Sequence, residues 1–320
     1  MMKYIVILLD DTSVSYCHYS NEKTERKLIA LEDLKAGILF AMKENLTIQF
    51  VYPDYELPSE YKEAIHSIDH SKIVPIGSLE QGDVWVVDGV NSLKNCQLSE
   101  DRTYVLRTSK KDFFESSSLI KDVLGNVCRL NVVITDVETF GDEDFEKYKE
   151  CLSTLSSKLE KLYIEGKSPQ LNLLTDRMML TAMNNCNAGW ENITLAPDGK
   201  FYVCPAFYQS DSQTTIEDKA LAIGDLQNGL DIKNPQLYKL SHAPLCRNCD
   251  AYQCKRCVWL NRKTTFEVNT PSHEQCVVAH LERNVSRELL QNIRKHGEFI
   301  PEVDIKEINY LDPFDVRKEW

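Results

Sequence analysis

Seven cysteines between residues 186 and 276 hold the clearest chemical capacity of this chain, out of eleven in all. In order they are Cys186, Cys204, Cys246, Cys249, Cys254, Cys257 and Cys276. A Cys-x2-Cys pair brings two thiolates to one turn, close enough to share a metal. The N-terminus, MMKYIVILLDDTSV, lacks the length and small-residue cleavage site of a secretory signal. The compartment is therefore expected to be cytoplasmic and reducing, where dense cysteines serve metal ligation rather than disulfides.

Spacing narrows the metal. Two Cys-x2-Cys pairs that share a zinc are usually separated by about a dozen residues. Here four residues separate Cys249 from Cys254. That crowding is similar to bacterial ferredoxin runs, in which tightly spaced cysteines and one remote cysteine hold iron–sulfur clusters. Cys204-Pro205 repeats the Cys-Pro ending of such runs. Arg247, Lys255, Arg256, Arg262 and Lys263 crowd the same stretch of an otherwise acidic chain. Cations suit thiolate-bound clusters, which carry negative charge, although charge runs are commonly just solvated turns.

The elements that must position these cysteines come mostly before them. Apolar runs predict strands over 4–9, 47–52, 72–77, 84–89, 103–108, 129–136 and 170–176. Between them, helices are expected over 31–44, 59–68 and 111–125, and most clearly over 142–165. In that last segment Phe145, Tyr148, Leu152, Leu155, Leu159 and Leu162 form one stripe, with acids at its start and Gly166 at its end. Strand and helix alternate, which predicts an α/β body with a mostly parallel sheet. Past Cys276 the chain reads as helix to about His296 and then as a tail. Gly199, in the Pro197-Asp-Gly-Lys200 turn, is placed where a hairpin needs positive φ.

Composition bounds the function. A net charge of -12 argues against a general nucleic-acid binder. No run approaches the length of a membrane span, so no membrane partner is expected. The chain has no nucleophile elbow, dinucleotide fingerprint, phosphate loop or zinc-protease helix.

The ordered pattern Cys-x12-Gly-x4-Cys, gap, Cys-x2-Cys-x4-Cys-x2-Cys, gap, Cys resembles the seven-cysteine SPASM domain of radical SAM peptide-modifying enzymes. The family's inner spacings are longer by one residue in two loops. The resemblance covers about residues 180–280. It implies two 4Fe–4S clusters, one held by Cys186, Cys204 and Cys257 and the other by Cys246, Cys249, Cys254 and Cys276. The first then lacks a fourth ligand, to be supplied by Cys151 or left as an open iron. The radical SAM motif Cys-x3-Cys-x2-Cys is absent, so S-adenosylmethionine is not expected to bind. Residues 1–180 are expected to be a partial or degenerate radical-SAM-like barrel, followed by the SPASM-like domain over 181–296 and a tail over 297–320.

YIVILLDDTSVSYCHY, LEDLKAGILFAMKENL, QFVYPDY and LNLLTDR further resemble the CXXX repeat peptide maturases. That likeness implies a role in maturing a ribosomally made, cysteine-repeat precursor peptide. The chain would bind that peptide or relay electrons to a partner radical SAM enzyme. Two rivals are an enzyme working through an open cluster iron and a zinc-bound interaction module.

Other chemistry-bearing residues have plainer readings. His66 and His70 stand four apart, a metal-ligand spacing, and read as an exposed polar pair. Asp10 and Asp11, and also Asp136 and Glu138, follow strands and read as terminators. Asp176-Arg177 reads as a local salt bridge. Cys17, Cys96 and Cys128 read as small buried hydrophobes, and Cys151 is the lone cysteine to test.

Overall fold

The computed structural model describes residues 2–210 and 221–299. The sheet grows from β1 (Tyr4–Leu8), whose Ile5, Ile7 and Leu8 are fully buried. On one side β2 (Thr47–Val51), β3 (Ser71–Pro75), β4 (Val84–Asp88), β5 (Thr103–Thr108), β6 (Arg129–Ile134) and β7 (Gln170–Leu171) follow in sequence order. All are parallel. The crossovers carry α1 (Leu31–Lys43), α2 (Ser59–His66), α3 (Lys110–Val123) and α4 (Asp142–Ile164). Strands added one after another in a single direction follow the order of a β/α barrel. Among the described residues the sheet nonetheless stays open, with β7 at one edge.

On the other side β1 pairs in parallel with β8 (Asn192–Leu195). An antiparallel run of β9 (Lys200–Tyr202), β10 (Ala222–Asp225) and β11 (Gly229–Leu230) completes eleven strands among the described residues. Strands from the cysteine-bearing region thus extend the sheet of the body. Gly199 turns the β8–β9 hairpin at φ +76.

The segment expected to be a strand over 170–176 leaves the sheet at Leu171. The Thr175 hydroxyl accepts from the Leu171 N–H at 2.8 Å and donates to its carbonyl at 3.0 Å, closing a turn. The Asn172 side-chain amide takes over the ladder, accepting from Val132 N–H and donating to its carbonyl at 2.7 and 2.9 Å. A four-residue helix, α5 (Asp176–Met179), follows.

Two further short helices, α6 (Ala206–Gln209) and α7 (Val258–Thr265), precede the long α8 (His273–Arg294). Ser272 caps α8 with Gln275 in a reciprocal box. α8 lies along α4, where Tyr148 donates to Glu282 at 2.6 Å, and Ser286 donates to the Leu174 carbonyl at 2.6 Å. The tail expected over 297–320 lies outside the described residues from 300 onward. No helix among the described residues is long and apolar enough to cross a membrane.

Candidate metal centre

Short local turns aim the clustered cysteines. Cys246 N–H bonds Ala243 O at 3.1 Å, Cys249 N–H bonds Cys246 O at 3.0 Å, and Cys254 N–H bonds Ala251 O at 3.0 Å. Such turns need few residues, which is why close spacing suffices to gather the thiols. Cys246, Cys249 and Cys254 line one cavity of about 800 Å³, together with Cys276 from the first turn of α8. His280, one turn further on, also lines it, with its Nε2 3.6 Å from Cys249 Sγ.

Backbone donors point at these sulfurs. The N–H of Ala251 lies 3.5 Å from Cys249 Sγ, and that of Arg256 lies 3.4 Å from Cys254 Sγ. Amide donors of this kind stabilise a thiolate and tune a cluster's potential. Burial acts the other way, pushing the Cys254 thiol up to about 12 and the Cys246 thiol up to about 11. Metal binding here must therefore displace protons.

Arg256 stands between this group and a second one. It is a bulky residue held at φ 45 and almost fully buried. Its Nε donates to Asn185 Oδ1 at 2.8 Å and its Nη2 to the Tyr238 carbonyl, while Nη1 has no hydrogen-bond partner. Burial lowers its pKa, and the neighbouring Cys186, Cys246, Cys254 and Cys257 oppose that shift. An orphaned, buried guanidinium N–H among thiols calls for negative charge nearby. Thiolate-bound iron–sulfur clusters would supply it, so the residues present fit that group.

The second set is Cys186, Cys204 and Cys257, which act on one another electrostatically. The Cys186 N–H bonds Lys255 O at 2.9 Å, its carbonyl accepts from Tyr4 OH at 3.4 Å, and its Sγ lies 4.0 Å from Arg256 O. Burial, then repulsion from Cys257 and Cys186, pushes the Cys204 thiol well above its ordinary value. Burial and Cys186 do the same to Cys257. Among the described residues no three His, Cys, Asp or Glu side chains converge tightly enough for a single metal ion. A cube offers each thiolate its own iron, so its ligands stand further apart.

Sequence reasoning missed one neighbour of this group. Burial, then repulsion from Cys186, pushes the Cys17 thiol up to about 12. Cys17 in turn raises both Cys204 and Cys257. Cys151, the cysteine singled out from sequence, lies elsewhere, in α4 beside Ser117 of α3, with burial raising its thiol.

The remaining sequence candidates are structural. His66 Nε2 lies 2.9 Å from Lys72 Nζ, and His70 Nδ1 lies 2.8 Å from the Ile68 carbonyl. Asp10 ends β1 by accepting from Thr12 N–H at 2.8 Å and Tyr55 OH at 2.7 Å. Asp11 accepts from Tyr208 OH, Asp136 from Lys110 N–H, and Glu138 from Lys263. The expected Asp176–Arg177 salt bridge gives way to two separate pairs. Asp176 meets Arg129 at 2.7 Å, while Arg177 meets buried Asp250 at 3.4 Å, because adjacent side chains on a helix diverge.

No protein-family model matches this chain, and no curated protein does. Solved structures do. Native anSMEcpe with bound AdoMet and Cp18Cys peptide is similar at a TM-score of 0.58 and 11% identity, covering 92% of this chain and 100% of that chain. Histidine-tagged anSMEcpe with bound AdoMet is similar at 0.59 and 11% identity, covering 91% and 96%. Streptococcus suis SuiB bound to precursor peptide SuiA has a TM-score of 0.42 at 12% identity, covering 84% and 75%. At 11% identity the likeness to anSMEcpe is one of fold.

Proposed function

We propose that this chain is an iron–sulfur protein of ribosomal peptide maturation, which binds a cysteine-repeat precursor peptide or relays electrons to a partner radical SAM enzyme. One observation carries the reading: Cys246, Cys249, Cys254 and Cys276 line a single cavity beside a buried arginine. The fold likeness to a structure holding a cysteine-containing peptide supports the peptide half of it.

In this reading Cys246, Cys249, Cys254 and Cys276 hold one 4Fe–4S cluster, and Cys186, Cys204 and Cys257 hold the other. Bound clusters supply one-electron transfer at potentials set by charge and hydrogen bonds. The chain's part is to set those terms. Arg256 places a fixed positive charge between the two thiol groups, and the N–H groups of Ala251 and Arg256 hold electron density on the sulfurs. The protein itself also occupies the place where open α/β sheets take ligands, outside the carboxyl ends of the strands. Residues 13–20 cross there, with Ser13 Oγ on Val51 O at 2.9 Å, His18 Nδ1 on Ile134 O at 2.8 Å and Arg107 Nη2 on Tyr19 O at 2.6 Å. That filling, with the missing Cys-x3-Cys-x2-Cys motif, supports an accessory role without S-adenosylmethionine turnover.

The test is anaerobic purification and reconstitution with iron and sulfide analysis. Two cubes require about eight irons per chain with matching sulfide. Stoichiometric zinc without sulfide overturns the cluster reading in favour of a zinc module. Cleavage of added S-adenosylmethionine by the chain alone overturns the accessory role.

A further inference from the structure

The segment after β1 is docked onto the elements that carry the second group of cysteines. Tyr19 packs edge-on against Trp259, two residues past Cys257, with ring centroids 6.4 Å apart. Its hydroxyl donates to Gln209 Oε1 at 2.9 Å, on the short helix that follows Cys204. Gln209 Nε2 donates back to the Ser13 carbonyl at 2.8 Å, and the Glu22 N–H bonds the Gln209 carbonyl at 3.0 Å. From the other side Arg107, buried at the end of β5, donates through Nε to the Cys17 carbonyl at 3.1 Å. Tyr4, on β1, reaches the Cys186 carbonyl. Cys17 is therefore gripped by the sheet through its own backbone, while residues on either side of it are tied to the neighbours of Cys204 and Cys257.

The four thiols are electrostatic neighbours of one another, since Cys17 acts on Cys204 and Cys257, and Cys186 acts on Cys17. Arg107 and Lys255 are the cations whose charge acts on Cys17, against the burial that raises its thiol. All four thiols are partly buried, and four cysteines are the number that one cube needs.

We propose that Cys17 is the fourth thiolate ligand of the cluster held by Cys186, Cys204 and Cys257. The assignment rests on the cluster reading above and deepens it. Ligation forms one iron–thiolate bond as the Cys17 proton leaves to solvent, with no change in oxidation state. It also closes that cluster, leaving no iron there for a peptide thiol. Electron transfer remains open to such a centre, and direct substrate ligation does not. The bond would further staple the segment after β1 to residues at 186, 204 and 257.

The experiment compares Cys17→Ser with Cys151→Ser in the full chain, reconstituted anaerobically, by iron and sulfide analysis and EPR before and after mild oxidation. Each cube holds four irons on four thiolates, so Cys17→Ser should lose about one iron per chain on oxidation, with a changed spectrum. Cys151→Ser should match the wild type. A Cys17→Ser protein with wild-type iron and an unchanged spectrum overturns the assignment. If that variant does not fold, alkylation of the wild-type protein decides. Cys17 reacting faster once the clusters are stripped supports ligation, and an equal rate in both states overturns it. Wild-type protein without iron or sulfide removes this inference together with the cluster reading, whereas a loaded wild type with an indifferent Cys17 removes this inference alone.

Discussion

The strand-rich body and the cysteine-bearing region share one sheet but differ in backbone and in what they bury. In the body, β1 through β6 and α4 bury apolar side chains, from Ile5 and Leu8 to Leu106, Leu130 and Leu155, all fully enclosed. Hydrophobic burial is enough to order it. Between Cys186 and Cys276 the elements are short, and Asn187, Asn234, Arg256 and Phe266 adopt positive φ. Its buried residues include Asp250, Gln253, Arg256 and Asn261. Left-handed backbone and buried polar groups each cost free energy, which the apolar burial of Ile193, Leu195 and Phe201 must offset in this region. One sheet thus joins a part built by packing to a part that, on the cluster reading, ligation would help to hold.

Removing the clusters should break the contrast most visibly. Ligand bonds contribute folding energy, on the order of 10 kcal/mol at structural metal sites. Chelation under anaerobic conditions should open residues 186–276 to limited proteolysis and leave β1 through β6 resistant. Cleavage spread evenly over both regions would show that the two do not differ in this way.

The converse perturbation is Phe113→Ala. Phe113 is fully buried in α3, 5.5 Å from the Tyr148 ring. Truncating such a residue costs about 3–5 kcal/mol. Denaturant titration should show that loss in the body while iron content stays at the wild-type value. Loss of iron in step with stability would mean that the regions are not separable.

Glu282 lies where the two regions meet, bonded to Tyr148 of α4 and to Gln253 of the cysteine region. Burial pushes its carboxyl up from 4.5 to about 7. The folded protein then keeps a proton that the unfolded chain releases. This contribution is full below pH 4.5 and is lost as pH climbs toward 7. At about 1.4 kcal/mol per unit the span reaches ~3 kcal/mol. Glu282→Gln should flatten that part of the stability profile, measured by denaturation at several pH values, and an unchanged slope would contradict it.

Gly199→Ala should have the smallest effect. The turn needs φ +76, and an added Cβ would meet the Asp33 carboxylate at 3.2 Å. A cost of about 1 kcal/mol is expected, read as a small shift in thermal midpoint. No shift would mean that the hairpin joining body and cysteine region relaxes freely.

Local pattern was enough for much of this molecule. The period of Leu152, Leu155, Leu159 and Leu162 marks α4, and the apolar runs mark β1 to β6, because neighbouring residues alone decide which face of an element is apolar. Close spacing likewise indicates that Cys246, Cys249 and Cys254 share a site, since each turn between them is local. Where side chains act across the chain, pattern falls silent. β7 ends early because Thr175 and Asn172 bond backbone groups of Leu171 and Val132. Asp176 and Arg177 choose partners on other elements. Cys17 carries no spacing signal at all. Its place beside Cys186, Cys204 and Cys257 follows from pairing of β1 with β8 and from the grip of Arg107, Gln209 and Trp259 on the segment after β1. Those are contacts between residues far apart in the chain, and such contacts exist only once the sheet has formed.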